Sequence, residues 1–310
     1  MGEDPTPLAA QTVTIGRQPI RYVVGGAQGK FVAPRTLLLF NGIGASIETA
    51  RRFMDAFTQV RVVAFDVPGV GASPTPPLPY RLRHVARMAA GLLDHLGIDA
   101  ADVFGVSWGG AAAQEFALRH PERVRTLTLA ATCAGFVMVP GEPRVLVKML
   151  SPRRYLDPAY LMQVGGQLYG GILRLERDLL KVHADALRGP SQRGYLYQLL
   201  AIWGWTSWHR LHRVQAPTLV LMGEDDPIVP PVNGRIVAAR LPRATLETVD
   251  CGHLFVLTRP EETARRVERF IDEHGTTTAA KPNPRSATPR RRTVRAPRPH
   301  VSSTPIRRHP

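Results

Sequence analysis

The sequence predicts an α/β fold: a mostly parallel central sheet flanked by helices on both sides and interrupted by a helical insertion. Three observations predict it. Short apolar runs such as "RTLLLF" and "VRVVAFDV" lack polar alternation, as expected of strands buried on both faces. Helix-patterned segments alternate with these runs at the spacing of βα units. The rhythm fails over residues 137 to 213 and resumes at "APTLVLMG".

The elements follow in order. Residues 11 to 34 alternate short apolar runs with "GRQ" and "GGAQG", which predicts an antiparallel pair of strands. "RTLLLF" is a buried strand, followed by the loop "NGIGAS" and the amphipathic helix "IETARRFMDAF". "VRVVAFDV" is the next strand and ends in the punctuated loop "PGVGASPTPP". "RHVARMAAGLLDHLG" is a helix with a glycine stop. "ADVFGVS", "WGGAAAQEFALRH" and "VRTLTLAAT" read as strand, helix and strand. Residues 137 to 213 read as several short helices rich in Leu, Met, Tyr and Trp, a natural cap over the strand ends. The strand pattern then continues from "APTLVLMG" through "IVAARLP" and "ATLETVD" to a closing helix, "RPEETARRVERFIDEHG". The predicted organisation is a core in two parts, 1–136 and 214–275, a helical cap at 137–213, and a tail at 276–310.

Charge divides the chain in the same way. Of the net +15, nine Lys or Arg lie beyond Glu273, where there is no acid. The tail also holds seven prolines and almost no large apolar residue, so burial cannot offset the entropy of ordering it. It is expected to be disordered, and its arginines could meet a weak anionic partner. Two cysteines make no disulfide scaffold and fit a reducing compartment. No signal peptide and no transmembrane segment are expected. Walker, C-x-x-C and H-E-x-x-H patterns are absent, so neither cofactor nor metal is expected.

"GVSWG", Gly105 to Gly109, lies between a predicted strand and a predicted helix. In that context a G-x-S-x-G pattern delivers the serine, Ser107, into a tight turn above the carboxyl ends of the strands. The helix start behind it offers backbone N–H groups to a developing oxyanion, and the N–H of Trp108 is one natural donor. A second donor is expected from "NGIGAS", where Gly42 allows close approach and Ile43 carries the N–H; Asn41 braces the loop. A serine needs a base. Among ten histidines, His253 follows the last strand, whereas His84, His95 and His120 lie in or beside helices. His183, His209 and His212 belong to the insertion, from which a capped site could recruit one. The order Ser…acid…His points to "LMGEDDPIVP", where Glu224, Asp225 and Asp226 stand together and placement alone does not choose among them. Asp250 is a rival that immediately precedes the histidine loop. Cys133 and Cys251 are expected as small apolar fillers, and aromatic residues of 195 to 208 as lining of an apolar cleft.

Residues 20 to 273 resemble the α/β-hydrolase family in "FNGIGA", "AFDVPGVGAS", "GVSWGG", "LMGEDDPIVP" and "CGHLF". "MVPGEPRVLVKMLSPRRY" and "GYLYQLLAIWGWTSWH", inside the insertion, extend the resemblance to intracellular depolymerases of medium-chain-length polyhydroxyalkanoates. The resemblance implies an α/β-hydrolase fold with Ser107 as nucleophile, Asp226 as the orienting acid by its G-x-x-D spacing, and His253 as base. It implies a hydrophobic polyester granule as partner and substrate, and a cytoplasmic, granule-associated location. A carboxylesterase or thioesterase acting on small lipophilic esters would use the same triad.

Overall fold

Leu37 and Leu39 pack on one side of the sheet and Leu38 and Phe40 on the other, and all four are buried. This period-two alternation within an unbroken apolar run is what a strand covered on both faces requires. The computed structural model describes residues 9–27, 35–185 and 190–274. They belong to the first of two compact units, 1–280; the second, 281–310, lies outside the described residues, as does the basic tail expected from 276.

The chain opens with β1 (Gln11–Ile15) and β2 (Gln18–Gly26), antiparallel partners as the hairpin pattern predicts; residues 28–34 of that prediction lie outside the described set. There follow β3 (Thr36–Phe40), α1 (Ile47–Asp55), β4 (Arg61–Phe65), α2 (Leu82–His95), β5 (Ala101–Val106), α3 (Trp108–Arg119) and β6 (Val124–Ala130). Five helices come next: α4 (Pro143–Met149), α5 (Arg153–Leu156), α6 (Pro158–Tyr169), α7 (Arg177–Asp185) and α8 (Gln192–Ile202). The core resumes with β7 (Thr218–Gly223), α9 (Val232–Ala238), β8 (Ala244–Val249), α10 (Phe255–Thr258) and α11 (Pro260–His274). The eight strands lie in the order β1-β2-β4-β3-β5-β6-β7-β8, and every pair from β4 to β8 is parallel.

One face is covered by α1 and α11, whose Phe53, Met54, Val267 and Phe270 meet Leu37, Val62 and Phe104. The other face is covered by α2 and α3 through Val85, Ala89, Ala112 and Phe116. One expectation fails here. "IVAARLP" is not a strand: Ile236 to Ala238 complete α9, and Asn233 and Val237, four residues apart, form its buried stripe. A short apolar run does not by itself distinguish a strand from a buried helix. Parallel β7 and β8 also need a crossover element between them, which α9 supplies.

The segment between β6 and β7 lies against the carboxyl ends of the strands through side chains of both parties. Tyr155 donates to the Ile43 carbonyl at 2.5 Å, and the Trp108 indole donates to the Gln198 carbonyl at 2.9 Å. Among the described residues no helix is long and apolar enough to cross a membrane.

Candidate active site

Gly105 and Gly109 flank Ser107 because backbone crowds the turn. A Cβ on Gly109 would collide with the carbonyl oxygens of Phe40 and Asn41. Ser107 itself holds φ 56° and ψ −121°, outside the regions open to ordinary side chains. Such a conformation costs about 1–3 kcal/mol and persists only where surroundings over-determine it. Here the Ser107 N–H donates to Ala130 O at 2.9 Å, and its carbonyl accepts from Thr132 Oγ1 at 2.8 Å and from the Gly110 N–H at 2.9 Å. The strand β5 and helix α3 therefore fix the turn between them, and the turn aims the hydroxyl at His253.

His253 Nε2 lies 3.0 Å from Ser107 Oγ, and His253 Nδ1 lies 2.7 Å from Asp226 Oδ2. Asp226 Oδ1 accepts the backbone N–H groups of Ile228 and Val229, each at 2.9 Å. One carboxylate oxygen is thus anchored by its own loop and the other is left for the histidine. An ionised Asp226 requires the proton on Nδ1, which leaves Nε2 free to accept from the serine hydroxyl. The His253 backbone N–H donates to Tyr169 O at 2.7 Å, so helix α6 helps to seat the base. Both Asp226 and His253 are buried.

The three adjacent acids separate completely. Glu224 accepts from Thr248 Oγ1 at the surface. Asp225 is more than a solvated turn residue: it pairs in bidentate fashion with Arg174, both contacts at 2.9 Å, and accepts the Gly171 N–H at 2.7 Å. Those contacts tie the intervening helices to the β7 loop and hold the Asp225 carboxyl below the usual aspartate range. Asp226 alone reaches the histidine. Asp250 is exposed and takes no part.

The loop expected to supply a second oxyanion donor stands beside the serine, with a Cβ built at Gly42 falling 3.8 Å from Ser107 Cβ. Asn41 Nδ2 braces it by donating to Ser46 O at 2.8 Å, as expected. Two residues from the intervening helices complete the bracing. Tyr155 holds the Ile43 carbonyl, and Gln198 Oε1 accepts the Gly44 N–H at 2.8 Å. These two contacts fix the peptide between Ile43 and Gly44, and the preceding one is held through Gly42 O, which accepts the Ala45 N–H at 3.2 Å. Trp108 sits at the first position of α3, directly behind Ser107.

Ser107 and His253 open into a cavity lined also by Ile43, Met149, Tyr155 and Tyr169. The aromatic residues of 195 to 208 are not among its lining residues, contrary to expectation. Tyr195 and Tyr197 hydrogen-bond to carbonyls, Trp205 donates to Glu115, Trp208 stacks under Arg240, and Trp203 is 79% exposed. Tyr195 and Tyr197 belong to α8, whereas Trp203, Trp205 and Trp208 follow its end. The aromatic lining comes from α5 and α6 instead, where no periodicity singled it out. His183 lines the same cavity without approaching Ser107 in hydrogen-bond geometry. Cys133 is buried, and burial pushes its thiol up to about 11, which keeps it protonated and inert. Arg154 and Tyr169 at the cavity wall went unrecognised in the sequence, because nothing in "SPRRYL" distinguishes a buried arginine from its exposed neighbour Arg153.

Comparison with known proteins places this geometry in a family. The profile of the Alpha/beta hydrolase family matches residues 37–266. A poly(3-hydroxyalkanoate) depolymerase from Ectopseudomonas oleovorans is 45% identical over 283 residues, covering 91% of this chain and 99% of that protein. A 3-oxoadipate enol-lactonase 2 from Acinetobacter baylyi is 27% identical over 243 residues, covering 77% of this chain and 90% of the lactonase. The crystal structure of a hydrolase from Pseudomonas aeruginosa PA01 superposes with a TM-score of 0.72 at 25% identity, covering 85% of this chain and 98% of that one. The chain belongs to the alpha/beta hydrolase family.

Proposed function

We propose that the protein is a serine ester hydrolase that cleaves intracellular medium-chain-length poly(3-hydroxyalkanoate) through an acyl-enzyme. The observation that carries the chemistry is the unbroken relay Asp226–His253–Ser107, at 2.7 and 3.0 Å, opening into a cavity. The 45% identity to a poly(3-hydroxyalkanoate) depolymerase over nearly its whole length supports the substrate class.

His253 takes the hydroxyl proton as Ser107 attacks the ester carbonyl, and the N–H groups of Trp108 and Ile43 receive the oxyanion. His253 then protonates the departing 3-hydroxyl. Water deprotonated by His253 releases the acid in the second half-reaction. Asp226 keeps the imidazole in the tautomer that both halves need. The helices of 137–213 act as a cap that shields the cavity from water and strengthens those dipoles. Most of the exposed large apolar side chains among the described residues lie between Phe136 and Trp203, Val147, Leu150 and Leu175 among them. Exposed apolar surface of this kind suits a water-insoluble polyester at a granule in the cytoplasm better than a small dissolved ester.

Purified protein incubated with emulsified medium-chain polyester should release 3-hydroxyoctanoate-type products, with none from a short-chain polyester. Hydrolysis of small chromogenic esters with no product from either polymer would replace this reading with a carboxylesterase.

A further inference from the structure

Arg154 is 1% exposed and sits on α5, in the wall of the Ser107 cavity. Only its Nη1 is occupied, donating to Tyr195 Oη at 2.8 Å and to Ser151 O at 3.3 Å. Its Nε and Nη2 are buried without a hydrogen-bond partner among the described residues. The rings of Tyr155 and Tyr195 lie 4.5 and 5.4 Å from the guanidinium carbon, which softens the burial of the charge but supplies no acceptor for those N–H groups. Among the described residues no carboxylate pairs with Arg154 and none lines this cavity, although Glu48 lines the neighbouring one.

Two more polar groups on the same wall are left open. Tyr169 Oη, on α6, and His183 Nε2, on α7, are both buried and make no hydrogen bond of good geometry among the described residues, although the Tyr169 phenol lies against the Arg154 guanidinium. Burial, with the Arg154 charge adding to it, lowers the His183 imidazole to about 4, so it is neutral at physiological pH and can share a hydrogen bond. A guanidinium that cannot lose its proton, a phenol and a neutral imidazole thus belong to side chains that line one cavity, each with hydrogen-bonding capacity left unspent. A purely apolar ester pocket has no use for them, since each buried polar group without a partner opposes folding. A carboxylate satisfies the charge and the donors together, and arginine binds it through two parallel N–H groups.

We propose that Arg154, Tyr169 and His183 form a carboxylate-binding subsite beside Ser107, through which the enzyme takes the carboxyl-bearing end of its polyester. This rests on the ester-hydrolase reading of the preceding section. In a 3-hydroxyacid chain the free carboxylate belongs to the leaving alcohol and stands one monomer's backbone from the scissile oxygen, so a subsite within the same cavity fits its reach. Anchoring it there places the terminal ester at Ser107 and makes cleavage proceed from that end. The neighbouring cavity shares Thr49, His183, Leu254 and Leu257 with the first; its Leu173, Leu179 and Val182 give an alkyl side chain apolar contact beyond the anchor, and Glu48 and Arg52 also line it.

The test compares the 3-hydroxyoctanoate dimer bearing a free carboxylate with its methyl ester, using the full chain. Hydrogen bonds to a charged group lead to an expected kcat/KM at least about tenfold higher for the free acid, carried mainly by KM. Arg154→Met should bring the ratio close to one, whatever happens to the absolute rates, and Arg154→Lys should restore part of it. Tyr169→Phe removes a single oxygen, and should lower the ratio several-fold even if Arg154→Met fails to fold. Early digestion of polymer should give monomer rather than a spread of oligomers. Equal rates on acid and methyl ester in the unaltered protein, a preference that survives Arg154→Met and Tyr169→Phe, or random oligomers from the polymer would each overturn the subsite. Failure of the underlying reading looks different: polymer left intact while the acid preference holds would remove the polyester and keep the subsite.

Discussion

Two buried charges, Asp102 and Arg154, are handled in opposite ways by the two regions that hold them. Asp102 stands at the start of β5, in the sheet, and its carboxylate is filled: Arg35 donates through Nε and Nη2 at 3.1 and 2.8 Å, and Thr126 Oγ1 donates at 2.8 Å. Burial still pushes its carboxyl above the ordinary aspartate range, against the pull of Arg35. Arg154, in the helices between β6 and β7, has no acid partner among the described residues; its Nε and Nη2 are buried without a hydrogen bond, and its side chain lines a cavity. The sheet closes its electrostatics internally and serves as a frame, whereas the inserted helices leave theirs open for something that binds. The same strand β5 that seats Asp102 at one end delivers Ser107 beyond the other, so frame and reaction centre share one rigid element.

This division of labour can be broken at several points. The largest effect belongs to Ser107→Ala, which should reduce hydrolysis of a medium-chain p-nitrophenyl ester by about 10⁴-fold or more. The melting temperature should hold or rise, because alanine removes no packing and the strained turn remains. Asp226→Asn should cost about 10³–10⁴-fold through the wrong imidazole tautomer. Glu224→Gln and Asp225→Asn, measured alongside, should stay within several-fold of the unaltered protein. Equal losses in all three would mean that the relay is not the source of activity.

Asp102→Ala tests the frame. It strands a partly buried Arg35 and should destabilise by about 3 kcal/mol in urea unfolding, with kcat per folded molecule unchanged. A drop in kcat without loss of stability would contradict the separation drawn here. Tyr155→Phe sits between the regions: it removes the hydrogen bond to the Ile43 carbonyl and frees the loop beside Ser107. We expect kcat to fall about 5–10-fold with little change in KM, since the loop serves the transition state.

The smallest effect concerns the Asp225–Arg174 clamp, which is half-exposed and screened. Because its carboxyl titrates below the ordinary range, the clamp's contribution is present above the unfolded-state aspartate pKa and is lost as pH falls through the lowered value. Unfolding of Asp225→Asn should therefore show a shallower acid limb below about pH 4 than the unaltered protein. An identical limb would assign that acid sensitivity to other carboxylates.

Much of the fold was legible because the periodicities are strong. Unbroken apolar runs at β3, β4 and β7 mark strands covered on both faces, and the break after β6 marks the inserted helices. "IVAARLP" was misread because a four-residue apolar cluster satisfies both periods, and only the need to cross between parallel strands decides it. The site was legible to the extent that chemistry is local. "GVSWG" between strand and helix specifies a strained elbow, and chain order specifies a histidine after the last strand and an acid loop before it.

By itself, the sequence determined the alternation of layers, the serine turn and the loop that carries the acid, since each follows from neighbours along the chain. Placement along the chain left Glu224, Asp225 and Asp226 open and only the family resemblance singled out Asp226; the tertiary structure is what sets it against His253, because residues one apart on a loop point in unrelated directions. It alone turned Arg154 inward and Arg153 outward, and it alone brought Arg154, Tyr169 and His183 from three helices to one wall. Burial and long-range contact create that wall, and neither has a period that a sequence can display.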